Sequence, residues 1–258
     1  MSNVFPAFTP ALGLSLPPMK APDSMSNWQQ SPLGMQVLAL ETQVLEEALT
    51  EVVGFEFLQV GRWGNAAQLS SAVRTQHRHW VAPDASGPGA IRAEPDALPV
   101  ASASVEAVLL PHTLEHAAHP HEVLREVERV LVGEGILLAC GFNPLSPWGL
   151  RHYAGGRHFP GGCRRLLSES RLRDWLGLLG LEVETVRRYL FVLPWAWRLP
   201  GRSGWLEAQG PRFFPPLAGA YLLRARKRVH AVTPIRPRWQ SRPAVVGGIA
   251  EPTSRNAA

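Results

Sequence analysis

The chain has 258 residues, 45% of them hydrophobic and 18% charged, enough for a sizeable core, and its longest apolar runs, such as Ile136 to Cys140, fall far short of the ~20 residues a bilayer-crossing helix needs. Glycine (23) and proline (24) are frequent, which calls for many loops in a folded chain rather than a low-complexity one. The net charge of +5 is uneven: from Arg224 onward eight basic residues face Glu251 alone, so that segment carries +7 and the remainder −2. The basic groups sit in a terminal segment rather than over the domain, so the segment reads first as a solubilising tail with incidental charge and second as an arm for a nucleic-acid partner.

The stretch from Val4 to Leu16 is broken and flanked by Pro6, Pro10, Pro17 and Pro18 with no preceding Lys or Arg. It reads as a disordered leader rather than a secretory signal. From Ser31 to Val53, Val37, Leu40, Val44, Leu45, Ala48, Leu49 and Val52 recur at helical spacing. Ser31 can cap this helix, and Pro32 suits its first turn. Phe55 to Val60 reads as a strand running into a turn with Gly61 and Gly64, and Asn65 to Val73 as the helix after it. A second strand is predicted at Arg78 to Ala82.

Val105 to Leu110, ended by Pro111, fits a buried strand. The helix from Pro120 carries Val123, Leu124, Val127, Val130 and Leu131 on one face and closes at Gly133 and Gly135, before a strand at Ile136 to Cys140. Ser168 to Leu179 is the next helix, and Leu181 to Val186 an alternating strand. Late strands near Val183 to Phe191 and Ala220 to Ala225 enclose an irregular insert with Trp195, Trp197 and Trp205. The alternation implies a mostly parallel α/β sheet with helices on both faces. Domain limits follow: a leader at 1–27, a folded domain at 28–229 and a Pro-rich basic tail at 230–258.

Ligands of open α/β sheets bind beyond the carboxyl ends of the strands. Three segments there carry suggestive residues: Leu58 to Gly64, where missing side chains expose backbone; Ile91 to Pro99, with Glu94 and Asp96; and Pro111 to His116. His112, His116, His119 and His121 cluster, but Pro111 and Pro120 break the segment and no further ligands complete a metal site. His112 follows the strand end, and a neutral imidazole there has a pKa suited to taking a proton. Cys140 and Cys163 build no disulfide framework or zinc pattern, which implies a reducing, cytoplasmic setting. No Gly-x-Ser-x-Gly elbow or P-loop is present.

The central block, from Asp96-Ala-Leu-Pro99 through Ser104 to Val108, Leu114-Glu-His116 and Pro120 to Leu131, to Gly133-Glu-Gly-Ile-Leu137, resembles the class I S-adenosylmethionine-dependent methyltransferases of the type 11 kind. Gly141 to Arg151 is similar to a bacterial subgroup of that family. The resemblance implies a Rossmann-like seven-stranded sheet with its last strand antiparallel, S-adenosylmethionine as cofactor, and methyl transfer to a small-molecule or nucleic-acid acceptor. It places Gln59, Gly61 and Gly64 at the methionine end of the cofactor, Asp84 at the ribose, Glu94 or Asp96 at the adenine amino group, and His112 among substrate and base groups. The first motif of the family has an acid and Gly-x-Gly-x-Gly, where this chain has Gln59 and Gly61-Arg-Trp-Gly64. Gln59 cannot pair ionically with an ammonium group. That departure keeps a rival reading open, a methyltransferase-fold binding or regulatory module without catalysis.

Overall fold

The apolar stripe after Ser31 forms helix α2 (Pro32–Leu49), following a short α1 (Ser24–Gln29). The Ser31 hydroxyl accepts from the Gly34 N–H at 3.1 Å, and Pro32 opens the first turn. The computed structural model describes residues 24–154, 159–194, 207, 209–210 and 212–229. Residues 1–23 of the predicted leader, the basic tail from 230 and the tryptophans of the insert lie outside the described residues, whereas residues 24–27, expected to be disordered, belong to α1.

The sheet has seven strands: β1 (Val53–Val60), β2 (Arg74–Ala82), β3 (Ala90–Arg92), β4 (Val105–Pro111), β5 (Leu131–Phe142), β6 (Leu181–Tyr189) and β7 (Ala220–Lys227). Their order is β3-β2-β1-β4-β5-β7-β6, with β7 antiparallel to both neighbours and the other pairings parallel. The predicted strands around Phe57 and Val108 are therefore adjacent, paired Phe57 to Ala107 and Leu58 to Val108. Between β1 and β4 the strand order reverses, which opens the crevice where such sheets take ligands.

Alternate residues divide the core into two layers. Leu58, Val60, Val108 and Leu110 meet α5 (Pro120–Val130) and α7 (Glu169–Leu178) on one face. Phe57, Ala107 and Leu109 meet α2 and Trp148 of α6 (Pro147–Ala154) on the other. No described helix is long and apolar enough to cross a membrane.

Several elements differ from the sequence pattern: β3 is not among the predicted strands, β2 begins at Arg74 rather than Arg78, and the helix after β1 and strand β5 have other bounds. The helix predicted over 65–73 is α3 (Ala66–Leu69), one turn capped by the Asn65 side chain. It stops because β2 begins at Arg74, paired with Val53, and the Ser70 hydroxyl turns back to the Ala66 carbonyl at 2.7 Å. Strand β5 begins at Leu131 rather than Ile136. Its register to β4 jumps from Val105–Leu131 to Ala107–Ile136, so the Gly133-Glu134-Gly135 stretch sits in a bulge instead of closing a helix.

Leu124 is fully buried on α5. Leu124→Ala is expected to destabilise the protein by about 2–5 kcal/mol, whereas Arg125→Ala, which removes an exposed pair with Glu122, should change it by less than about 1 kcal/mol. Urea denaturation of the two variants checks this.

Candidate cofactor pocket

Gly61 ends β1 with φ of +116°, a left-handed region that favours glycine. Its N–H donates to the Val81 carbonyl at 2.8 Å, and its carbonyl accepts from Trp80 Nε1 at 2.7 Å. A Cβ on Gly61 would overlap Thr113 Oγ1, whose hydroxyl donates to the Val60 carbonyl. The turn is thus fixed from both neighbouring strands, with bare backbone facing a cavity of about 390 Å³. Gly61, Arg62, Pro83, Glu94, Asp96 and His112 are among its walls.

Below the cavity lies a dry polar cluster. His112 is N-cap of the short helix α4 (Thr113–His116), in a left-handed conformation with φ 54°. Its Nε2 meets Glu41 Oε1 and its Nδ1 meets Glu115 Oε2, both at 2.7 Å. Glu41, from α2, also accepts from Trp63 Nε1 at 2.6 Å and from the Tyr189 hydroxyl at 3.2 Å. Glu115 accepts the Phe142 N–H at 2.7 Å. His112, Glu41, Glu115 and Trp63 are each 0–2% exposed.

Burial alone would push the His112 pKa down, but the two carboxylates raise it to about 9. Burial raises that of Glu115, against the opposing pull of His112. His112 is therefore an imidazolium at neutral pH with both N–H groups donated. The neutral, proton-taking imidazole expected at this position is not what the surroundings produce. His116, which also lines the cavity, takes the opposite state. Burial, followed by the charges of His112, Arg62 and Arg164, lowers its pKa to about 4, and its buried Nδ1 has no hydrogen-bond partner among the described residues.

Of the residues singled out in the sequence, Gly61, Glu94, Asp96 and His112 come together around this cavity. Asp84 follows the wall residue Pro83 and is ion-paired with Arg62 at 2.8 Å, its side chain half exposed. Gln59 and Gly64 do not line it. They border a separate groove with Asn65 and Trp80, because Gln59 points to the α2 face with Phe57 while Val60 and Leu58 point to the other. Gln59 is 1% exposed, and neither of its amide atoms has a partner among the described residues. Among the described residues no group of three or more His, Cys, Asp or Glu is arranged to hold a metal ion.

Sequence reasoning passed over Glu41. Its signal was present: Val37, Glu41, Leu45 and Leu49 succeed one another four residues apart, so a carboxylate sits within the apolar stripe of α2. Trp63 appeared only as bulk in the first motif, and Arg164 carried no signal at all.

This sheet order, with a glycine turn after β1 and carboxylates after β3, defines a class I S-adenosylmethionine-dependent methyltransferase fold, and residues 64–139 match the family model described as a methyltransferase domain. Over 225 residues the chain is 36% identical to the uncharacterized protein YafS of Escherichia coli (strain K12), covering 86% of this chain and 87% of YafS. The chain belongs to one family with YafS, and its residues 64–139 are a methyltransferase domain of the type 11 kind. Solved structures agree in fold. An S-adenosylmethionine-dependent methyltransferase from Thermotoga maritima aligns over 79% of this chain and 94% of its own at 17% identity, with a TM-score of 0.57. The methyltransferase solved with the Haloferax volcanii Trm112 activator aligns over 81% and 97% at 16% identity, with a TM-score of 0.56. The [4+2]-cyclase SpnF aligns over 78% and 84% at 18% identity, with a TM-score of 0.52.

The residues present fit S-adenosylmethionine. The cavity has the size of a small-molecule site. Its carboxylates stand on the β3 side as acceptors for hydroxyl and amino groups, and the Gly61 turn offers backbone without a side chain.

Two measurements test the buried polar groups. Because the folded pKa of His112 lies above the ordinary 6.5, its contribution to stability is complete below pH 6.5 and lost as pH rises through 9. Wild type should lose about 3 kcal/mol more across that window than His112→Gln, measured by urea denaturation at both pH values. Gln59→Met should hold or raise the unfolding temperature, since the amide has no partner, and Gln59→Asp should lower stability by about 1–3 kcal/mol or more by burying an unpaired charge. A thermal melt of both variants decides it.

Proposed function

We propose that the protein is a cytoplasmic enzyme that binds S-adenosylmethionine in the cavity at Gly61 and transfers its methyl group to a small-molecule acceptor. The observation that carries the reading is the Gly61 turn, whose conformation and contact with Thr113 leave backbone facing a cavity walled by Glu94 and Asp96. The methyltransferase-like unit is taken as residues 28–229, and the basic tail from 230 is the segment suited to a nucleic-acid contact.

When bound, the cofactor supplies an electrophilic methyl group on a sulfonium. The chain's own residues then have separable tasks. Asp96 or Glu94 accepts hydrogen bonds from the adenine amino group, and Asp84 exchanges part of its pairing with Arg62 for the ribose hydroxyls. Gly61 lets the methionine end lie against backbone. His112 holds the β4–α4 turn as a cation and is a positioning residue. His116 lines the cavity as a neutral imidazole whose Nδ1 is buried, and a base is needed only where the acceptor must lose a proton. Holding the two reactants together and excluding water provides most of the acceleration.

A second reading, a binding module without catalysis, is favoured by the Arg62–Asp84 pair and by Trp63 buried where the family has a bare glycine turn. The fold alone does not choose, since SpnF uses it as a [4+2]-cyclase. Calorimetric titration with S-adenosylmethionine and S-adenosylhomocysteine separates the two. Binding of both is expected, with Asp96→Ala weakening it by roughly 5- to 150-fold, the range for leaving a polar partner unsatisfied. A wild-type protein that is folded and binds neither would establish the module instead.

A further inference from the structure

We propose that Arg164 is a carboxylate-binding side chain on the β4 side of the cavity, facing the acidic β3 side across the Gly61 turn. The inference rests on the cofactor-pocket reading and adds to it the residue that would hold an anion. Arg164 is tethered by its backbone N–H, which donates to the Glu115 carbonyl oxygen of α4 at 3.0 Å. Its side chain lines the cavity and is exposed. Among the described residues its guanidinium has no hydrogen-bond or ion-pair partner. Its neighbour Arg165 does not line the cavity and donates to the Ala118 carbonyl at 3.0 Å. Arg62, the other guanidinium of the wall, is engaged by Asp84.

Among the described residues no carboxylate is ion-paired with Arg164. Glu94 and Asp96 follow β3, at the far edge of the strand order. Glu115 is 1% exposed, with its oxygens taken by His112 and the Phe142 N–H. In the same half of the cavity His112 is already paired with Glu41 and Glu115, which leaves the Arg164 guanidinium as the cationic group presented there, and its charge is one of those that depress the pKa of His116. A cavity acidic at one end and cationic at the other suits an elongated ligand with hydroxyl or amino groups at one end and an anion at the other. A free guanidinium presents paired donors that match the two oxygens of a carboxylate. That carboxylate belongs either to the amino-acid end of the cofactor or to the methyl acceptor.

The test titrates wild type, Arg164→Gln and Arg164→Lys by calorimetry with S-adenosylhomocysteine and with 5′-methylthioadenosine, which lacks the amino-acid end. Benzoate is then titrated into each protein, alone and saturated with S-adenosylhomocysteine. If the carboxylate is the cofactor's, Arg164→Gln loses about 10-fold or more in affinity for S-adenosylhomocysteine and none for 5′-methylthioadenosine, with the lysine variant intermediate. If it is the acceptor's, both nucleosides bind unchanged and benzoate binding to the saturated wild type is lost in Arg164→Gln. Wild-type affinities for all three ligands in the glutamine variant, or equal losses for both nucleosides, overturn the proposal. A wild type that binds neither nucleoside defeats the cofactor-pocket reading, and benzoate binding to nucleoside-free protein then decides Arg164 by itself. Equal unfolding temperatures of the three proteins exclude misfolding, as expected for an exposed side chain.

Discussion

The pocket depends on one constraint, a left-handed turn at the end of β4 held by a histidine between two buried carboxylates. A non-glycine residue with positive φ is uncommon and needs surroundings that fix it. Glu41 reaches His112 from α2 and Glu115 from α4, so the turn is tied to two separate elements. Through Glu41 the tie extends to Trp63 in the loop after β1 and to Tyr189 at the end of β6. Through Glu115 it reaches the backbone of Phe142 at the end of β5. Four strand ends are thereby joined at one polar cluster, directly under the cavity.

Electrostatics then divides two neighbouring histidines into different chemical species. His112 has its partners before any ligand arrives, so it keeps its proton and neither nitrogen is open. His116, one helical turn later, meets positive charges and no carboxylate partner, so it is neutral. Among the described residues Nδ1 of His116 has no hydrogen-bond partner, while both ring nitrogens of His112 are engaged. A histidine at the end of a strand near a cofactor pocket invites a role in proton transfer, but that role requires a vacant nitrogen, and carboxylates on both sides remove it. Position in the chain alone could not distinguish the two, since the deciding partner, Glu41, is 71 residues away.

The layout of the sheet was legible because it rests on periodicity. The apolar run from Val105 to Leu110, the amphipathic face of α5 and the cap at Ser31 depend on nearest neighbours and appear where the pattern puts them. The misreadings share a cause. Asn65 to Val73 has helical character, but pairing of Arg74 with Val53 claims its end for β2, and β5 is extended by pairing of Leu131 with Val105. Strand pairing is a non-local interaction that overrides local preference. In the pocket, Gly61 was legible because it follows a strand, whereas Glu94 and Asp96 were given their place by the family resemblance, since the three-residue β3 before them has no signal of its own in the pattern. The direction of the Gln59 side chain was readable only once the strand's two faces had been assigned to their helices.

The substitution of glutamine for the family's acid at position 59 has a physical reason in this arrangement. Gln59 points into the same α2-facing layer as Trp63, where Glu41 already supplies a carboxylate. His112 is bracketed by Glu41 and Glu115 in this buried cluster, and burial already raises the pKa of Glu115. A further carboxylate on β1 would add uncompensated charge to that dry layer, at a cost of several kcal/mol before any gain from a ligand. Trp63 and Glu41 therefore belong together: the indole N–H needs an acceptor when buried, and the carboxylate needs donors on both oxygens. The altered first motif is the outer part of this pairing. An anion provided by a helix, with an indole as one of its donors, occupies the layer, while the Gly61 turn beside it keeps its backbone open to the cavity.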